Sequence, residues 1–144
     1  MRIAIGCDHR GLEVKQAIMK WLDKTAHNYT DFGTYTADSV DYPDIAGKVG
    51  LSVASGEDDC GILICDTGIG MSIAANKVKG IRAARCVSVF DAERTRLHNN
   101  ANILCLAAAN GSAQALEILE AFLKGDYEGG RHDRRLDKIK AMEV

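Results

Sequence analysis

Short apolar runs alternate along this chain with longer stretches in which apolar residues return every three or four positions. Arg2 to Cys7 reads as a first strand, after which Leu12, Val14, Ala17, Ile18, Trp21 and Leu22 recur at helical spacing. Tyr29 to Phe32 predicts a short second strand and Gly33 to Tyr42 a polar loop. Pro43 then suits the first turn of a helix running to about Ser55. Gly61 to Cys65 is an apolar run of the kind that forms a strand buried on both faces. Beyond it the pattern predicts a helix over Met71 to Val78, a strand over Ile81 to Val87 and a helix over Asp91 to His98. A fifth strand over Asn102 to Ala107 follows, then a helix capped by Ser112 that reaches Lys124, and a last helix from about Leu136 to Met142. Strands alternating with helices in this way imply an α/β fold, a five-stranded parallel sheet with helices on both faces.

Composition narrows the class of function. With 144 residues and 47% hydrophobic content the chain can bury one sizeable core, so residues 1–144 are expected to form one domain. A formal net charge of −2 without a basic run gives no nucleic-acid footprint, and a small molecule is the expected partner. No leader segment and no apolar run long enough to span a bilayer are read, so a cytoplasmic protein with no membrane partner is expected. The five cysteines are odd in number and sit mostly in apolar runs, as reduced thiols do.

The chemistry concentrates after the third strand. Cys65-Asp66-Thr67-Gly68-Ile69-Gly70 is a strand end, a glycine turn and a helix start. In an open parallel sheet ligands bind outside such strand ends, where turn and helix N–H groups meet anionic oxygens. Nucleotide templates fail here, because there is no GxxxxGK[ST] and Ile73 stands where a dinucleotide turn needs a small residue. Zinc is also disfavoured: Cys60 and Cys65 are five apart, at opposite ends of one strand and on opposite faces. Neither a metal site nor a cofactor is expected. Cys7, Cys60, Cys86 and Cys105 read as small buried hydrophobes. Asp8 and His9 follow the first strand and open on the same edge as Cys65, and His98-Asn99 precedes the fifth strand. Arg131 and Arg135, four apart, share a face and clamp one anion if the last helix begins early, whereas charges at a helix start are ordinarily only solvated. The residues alone thus imply an anion pocket holding a thiol, one or two imidazoles and an acid.

Several segments resemble ribose-5-phosphate isomerase B, in the superfamily that also holds the galactose-6-phosphate isomerase subunits. They are Asp8-His9-x-Gly11, Ser39-Val40-Asp41-Tyr42-Pro43-Asp44, Cys65-x-Thr67 through Lys77, Gly80 to Ala84, His98 to Asn102 and Glu128 to His132. The resemblance covers essentially the whole chain in order. It implies a Rossmann-like three-layer sandwich, a homodimer with active sites built between subunits, with further pairing into tetramers left open, and metal-free interconversion of an aldose phosphate and a ketose phosphate. By the same resemblance Cys65 is the base between C1 and C2, with Thr67 beside it in the catalytic set, and His98 helps open the sugar ring. Asp8 and Asn99 contact sugar oxygens, and the backbone of Asp66, Thr67, Gly68, Ile69 and Gly70 holds the enediolate. His9, Arg131 and Arg135 bind phosphate.

Two positions depart from that family's pattern. Asp66 stands where a small residue is usual, and a carboxylate there opposes a thiolate by about 3 kcal/mol at roughly 6 Å and an effective dielectric of about 20. The helix start offers a nearby anion only about 0.3 to 1 kcal/mol. Asp66 is therefore expected to point to solvent, to pair with a cation, or to take a substrate hydroxyl. After the fifth strand Leu106-Ala107-Ala108-Ala109-Asn110-Gly111-Ser112 lacks a phosphate-binding arginine that many relatives carry. Its loss implies weaker phosphate binding or another sugar, six-carbon or unphosphorylated. A sugar-phosphate-binding module with reduced catalysis is the competing class, and thiol redox chemistry lacks a resolving cysteine in an obvious place.

Overall fold

Five strands form the sheet: β1 (Arg2–Cys7), β2 (Asn28–Asp31), β3 (Cys60–Cys65), β4 (Ala83–Arg85) and β5 (Ile103–Ala107). They lie in the order β2-β1-β3-β5-β4, and every neighbouring pair is parallel. The computed structural model describes all 144 residues. Six helices complete it: α1 (Leu12–Leu22), α2 (Tyr42–Ala54), α3 (Ile69–Ala75), α4 (Val89–Asn99), α5 (Ser112–Lys124) and α6 (Arg131–Ala141).

Strand alternation sorts the apolar side chains into two layers. Ile3, Ile5, Ile62, Ile64, Leu104 and Leu106 pack with Val14, Ile18 and Leu22 of α1, Ala92 of α4, and Ile118, Leu119 and Phe122 of α5. Ala4, Leu63, Cys65, Ile103 and Cys105 face the other way, onto Ile45, Ala46 and Val49 of α2 and Met71 and Ala75 of α3. Central β3 is buried at all six positions, as its unbroken apolar run requires. No helix is long and apolar enough to cross a membrane.

Several boundaries differ from the sequence expectation, each for a local reason. Helix α4 begins two residues early because Ser88 Oγ accepts the Asp91 N–H at 3.1 Å, while the Asp91 carboxylate accepts the N–H of Val87. That capping ends β4 at Arg85, well short of Val87. Ser112 is the first residue of α5 rather than its cap, a position that Gly111 holds. The last helix begins at Arg131, five residues before Leu136, because Gly129 and Gly130 take φ of 71° and 61° and turn the chain into it. Its first turn is wholly polar and carries no apolar period to read. Helix α6 buries only His132.

The most deeply buried charged side chain is that of Lys15. Lys15 is 1% exposed, and its ammonium donates to Asp31 Oδ1 at 2.7 Å and to the Thr34 carbonyl, tying α1 to the end of β2 and the loop beyond. The outer rim of β4 is closed by another side chain: Asn76 Nδ2 donates to the Ala83 carbonyl at 2.9 Å, and Asn76 Oδ1 accepts the Ala83 N–H at 2.8 Å.

Removing one partner of a buried pair leaves the other charge uncompensated. Lys15→Ala is expected to destabilise the fold by about 3 kcal/mol, read from the midpoint of urea unfolding; an unchanged midpoint would show that Asp31 finds water instead.

Candidate active site

In a parallel sheet each helix leaves the carboxyl end of one strand and returns the chain to the amino end of the next. Functional residues therefore fall on one of two opposite edges. Cys65 ends β3 on the carboxyl edge and is 6% exposed. The register pairs Cys7 with Ile64 and Cys65 with Ala107, so the turns after β1, β3 and β5 line up there. Two hydrogen bonds join them: Asp8 N–H to the Ile64 carbonyl at 3.1 Å, and Ala109 N–H to the Asp66 carbonyl at 3.0 Å. Asp8 is buried, with Oδ1 accepting the N–H of Arg10 at 2.9 Å. His9 accepts the Val40 N–H on Nδ1 at 3.3 Å. In the neutral ring the proton then sits on Nε2, available to an acceptor.

The turn itself serves the thiol. Gly68 has φ of 77°, and a Cβ there would lie 3.1 Å from the carbonyl carbon and oxygen of Leu106, so only glycine fits without strain. Its N–H donates to Cys65 Sγ at 3.1 Å. The next N–H, of Ile69, goes to Thr67 Oγ1 at 3.2 Å. Within the chain the Gly68 and Ile69 donors are thus engaged inside the turn. The N–H groups of Asp66, Thr67 and Gly70 have no acceptor within the chain. Arg85, which sequence reasoning passed over, braces the turn with Nε donating to the Thr67 carbonyl at 2.7 Å. Asp66 is exposed and makes no ion pair.

The other thiols are chemically quiet. Burial pushes Cys7 up to about 11 and Cys60 and Cys86 up to about 12, and raises Cys105 further still. The sulfurs of Cys7 and Cys86 donate to carbonyls. Cys65 alone accepts an N–H, which is where negative charge on that sulfur would be met.

The amino edge carries the rest. Helix α4 ends at Asn99, and β5 begins at Ile103, whose neighbour Asn102 accepts the Gly61 N–H at the start of β3. His98 and Asn99 thus lie beside the beginning of β3, and Cys65 at its end. Six residues of strand place those ends about 16 Å apart. Of the one or two imidazoles expected beside the thiol, His9 follows β1 on the same edge as Cys65, and His98 lies on the opposite edge. There His98 stacks on His132, with ring centroids 4.4 Å apart and planes 21° from parallel. Glu128 Oε2 lies 3.8 Å from His98 Nε2 and 3.5 Å from His132 Nε2, while Oε1 accepts from Arg131 at 3.3 Å. Desolvation, followed by His132 and Arg94, lowers the His98 pKa against the opposing pull of Glu128, so the ring is neutral at neutral pH. Helix α6 starts early enough to put Arg131 and Arg135 one turn apart, both exposed, and Arg135 makes no ion pair. Glu128 and His132 received no role from the sequence. Their i, i+4 spacing in a glycine-broken polar stretch is the signal that could have singled them out.

Comparison with known proteins identifies the family. The family model described as Ribose/Galactose Isomerase matches residues 3–139. Ribose-5-phosphate isomerase B of Escherichia coli K12 is 45% identical over 143 residues, covering 99% of this chain and 96% of that protein. The solved Clostridium thermocellum ribose-5-phosphate isomerase B is 49% identical, with a TM-score of 0.98 over 99% of this chain and 97% of the other. The Mycoplasma genitalium ribose-5-phosphate isomerase B, solved with bound ribulose 5-phosphate, is 44% identical with a TM-score of 0.95, over 99% of this chain and 95% of the other. By the family model over residues 3–139 and by identities of 44 to 49% along nearly its whole length, this chain belongs to the ribose/galactose isomerase family.

Proposed function

We propose that residues 1–144 act as one catalytic domain that interconverts ribose 5-phosphate and ribulose 5-phosphate. The observation that carries this reading is the Cys65 sulfur at the carboxyl edge, met by the Gly68 N–H and flanked by unengaged N–H groups. As thiolate, Cys65 takes the proton from C2 of the open-chain aldose, and the electron pair forms the C1–C2 double bond of an enediolate. The negative charge gathers on O1, within reach of the free donors of Asp66, Thr67 and Gly70. The same proton returns to C1 and one hydroxyl proton passes from O2 to O1, which yields the ketose with no net redox change and no need of a cofactor. Asp8 holds sugar hydroxyls, Thr67 borders the reacting carbons, and His9 donates Nε2–H to the phosphate.

A second copy of the chain completes the site. His98, Asn99, Arg131 and Arg135 stand on the amino edge, so they reach a sugar on Cys65 only from a partner subunit. A two-fold homodimer supplies this twice over, each copy giving its carboxyl edge to one site and its amino edge to the other. There the partner's His98 opens the ring, and Arg131 and Arg135 clamp the phosphate as a charge-assisted pair. The enzyme works in the cytoplasm, where its five unpaired thiols stay reduced. The turn over Ala107–Ser112 offers no arginine, which favours testing six-carbon and unphosphorylated sugars beside ribose 5-phosphate.

Removing the base is expected to lower kcat by about 1,000-fold or more in Cys65→Ala, with unfolding unchanged; residual activity near wild type would reassign the base. Arg135→Ala should raise KM for ribose 5-phosphate by about 10- to 100-fold through loss of one charge-assisted contact, with kcat moved much less. Equal amounts of the inactive Cys65→Ala and His98→Asn chains, unfolded and refolded together, should regain about a quarter of wild-type activity, since half the dimers then hold one intact site. No recovery would rule out a site shared between subunits.

A further inference from the structure

Two imidazoles and a carboxylate converge where α4 ends and α6 begins. The ligand atoms of His98, Glu128 and His132 all lie within 4.8 Å of one another. Around a tetrahedral ion with bonds of about 2.1 Å, such atoms stand roughly 3.4 Å apart. The His132–Glu128 separation of 3.5 Å already fits, and the His98–Glu128 separation of 3.8 Å nearly does. Only the two nitrogens must close further, and the His98 side chain, one-third exposed, has room to swing.

A separate observation concerns His132 alone. The residue is 4% exposed, and its Nε2, turned toward Glu128, has no hydrogen-bond partner. A buried ring nitrogen without a partner is costly unless something else takes it up. Arg131 occupies Oε1 of Glu128 and leaves Oε2 to face the imidazoles. The charges of Arg131 and of nearby Arg94 oppose a dication and keep its affinity moderate, whereas the two nitrogens and one oxygen select a borderline metal over magnesium or calcium.

We propose that His98, Glu128 and His132 form a site for a divalent transition metal of the zinc type, whose occupation withdraws His98 from the reaction. The fourth position opens to solvent beside the half-exposed Glu128. The metal site stands on geometry alone; inhibition rests on the ring-opening role given to His98 above. A metal on Nε2 takes the lone pair through which that ring accepts or delivers a proton. The ion is an inhibitor and plays no part in turnover.

The test is Co2+ titration of chelator-treated whole protein, followed by its visible absorption, with Zn2+ as competitor. One Co2+ per chain with a tetrahedral band and no thiolate charge-transfer band is expected, displaced by Zn2+. Glu128→Gln, on an exposed side chain, and His132→Asn should each weaken binding by about 100-fold, while Cys65→Ser leaves it unchanged. Zn2+ should stop isomerisation over the range that displaces Co2+, with activity restored by chelator. The site is overturned if no band forms at millimolar Co2+, if neither Glu128→Gln nor His132→Asn weakens binding, or if Cys65→Ser removes it. Binding mapped to these residues without inhibition would instead overturn the role of His98 and leave the metal site standing.

Discussion

Strand direction is the constraint on which this molecule depends. With all five strands parallel, every helix between two strands must carry the chain back the length of the sheet, and the connecting turns separate into two populations on opposite edges. The turns that follow strands hold the thiol, Asp8 and His9. Those that precede strands, extended by α6, hold the imidazole pair and the arginines. The buried length of β3 keeps the two sets apart, and no side-chain motion bridges it. Two separate sets of polar residues, one on each edge, are the direct outcome of the topology, and the proposed pairing of subunits is what would bring them together.

The carboxyl edge shows how a turn can be organised around a thiol first and a ligand second. Gly68 adopts a backbone closed to other residues, so its N–H meets the sulfur instead of a substrate. Thr67 takes the following N–H and is itself braced by Arg85. An exposed carboxylate at position 66 is compatible with this order, because only its main chain enters the edge, through the hydrogen bond to Ala109.

The fold was legible because its signals are physical ones. The apolar run over β3 and the helical period of α1 can be satisfied only by burial, and both elements fall within a residue of where their patterns put them. What was hidden depended on polar groups. The start of α4 is set by a hydroxyl at Ser88, and the start of α6 by two glycines followed by a wholly polar first turn, neither of which leaves an apolar trace. At the site, Cys65 and its glycine turn were visible because their geometry is local. The separation of His98 from Cys65 was not, since it follows from helix direction across three elements, and the pairing of His98 with His132 joins residues 34 positions apart. Lys15 illustrates the limit of periodicity: it lies within the apolar stripe of α1 and is buried because Asp31 and a loop carbonyl receive it.

The side-chain amide of Asn76 has a meaning beyond the local geometry of β4. An edge strand in a parallel sheet presents alternate backbone donors and acceptors to whatever passes, and a neighbouring molecule's strand is the most complementary visitor. Ala83 is the first residue of that vulnerable rim, and Asn76 already sits on both of its backbone groups as an added strand would. The carboxamide acts as a one-residue mimic of sheet continuation and terminates the ladder from within. On this side of the sheet a neighbouring molecule therefore meets a side chain where it would otherwise find a free backbone donor and acceptor.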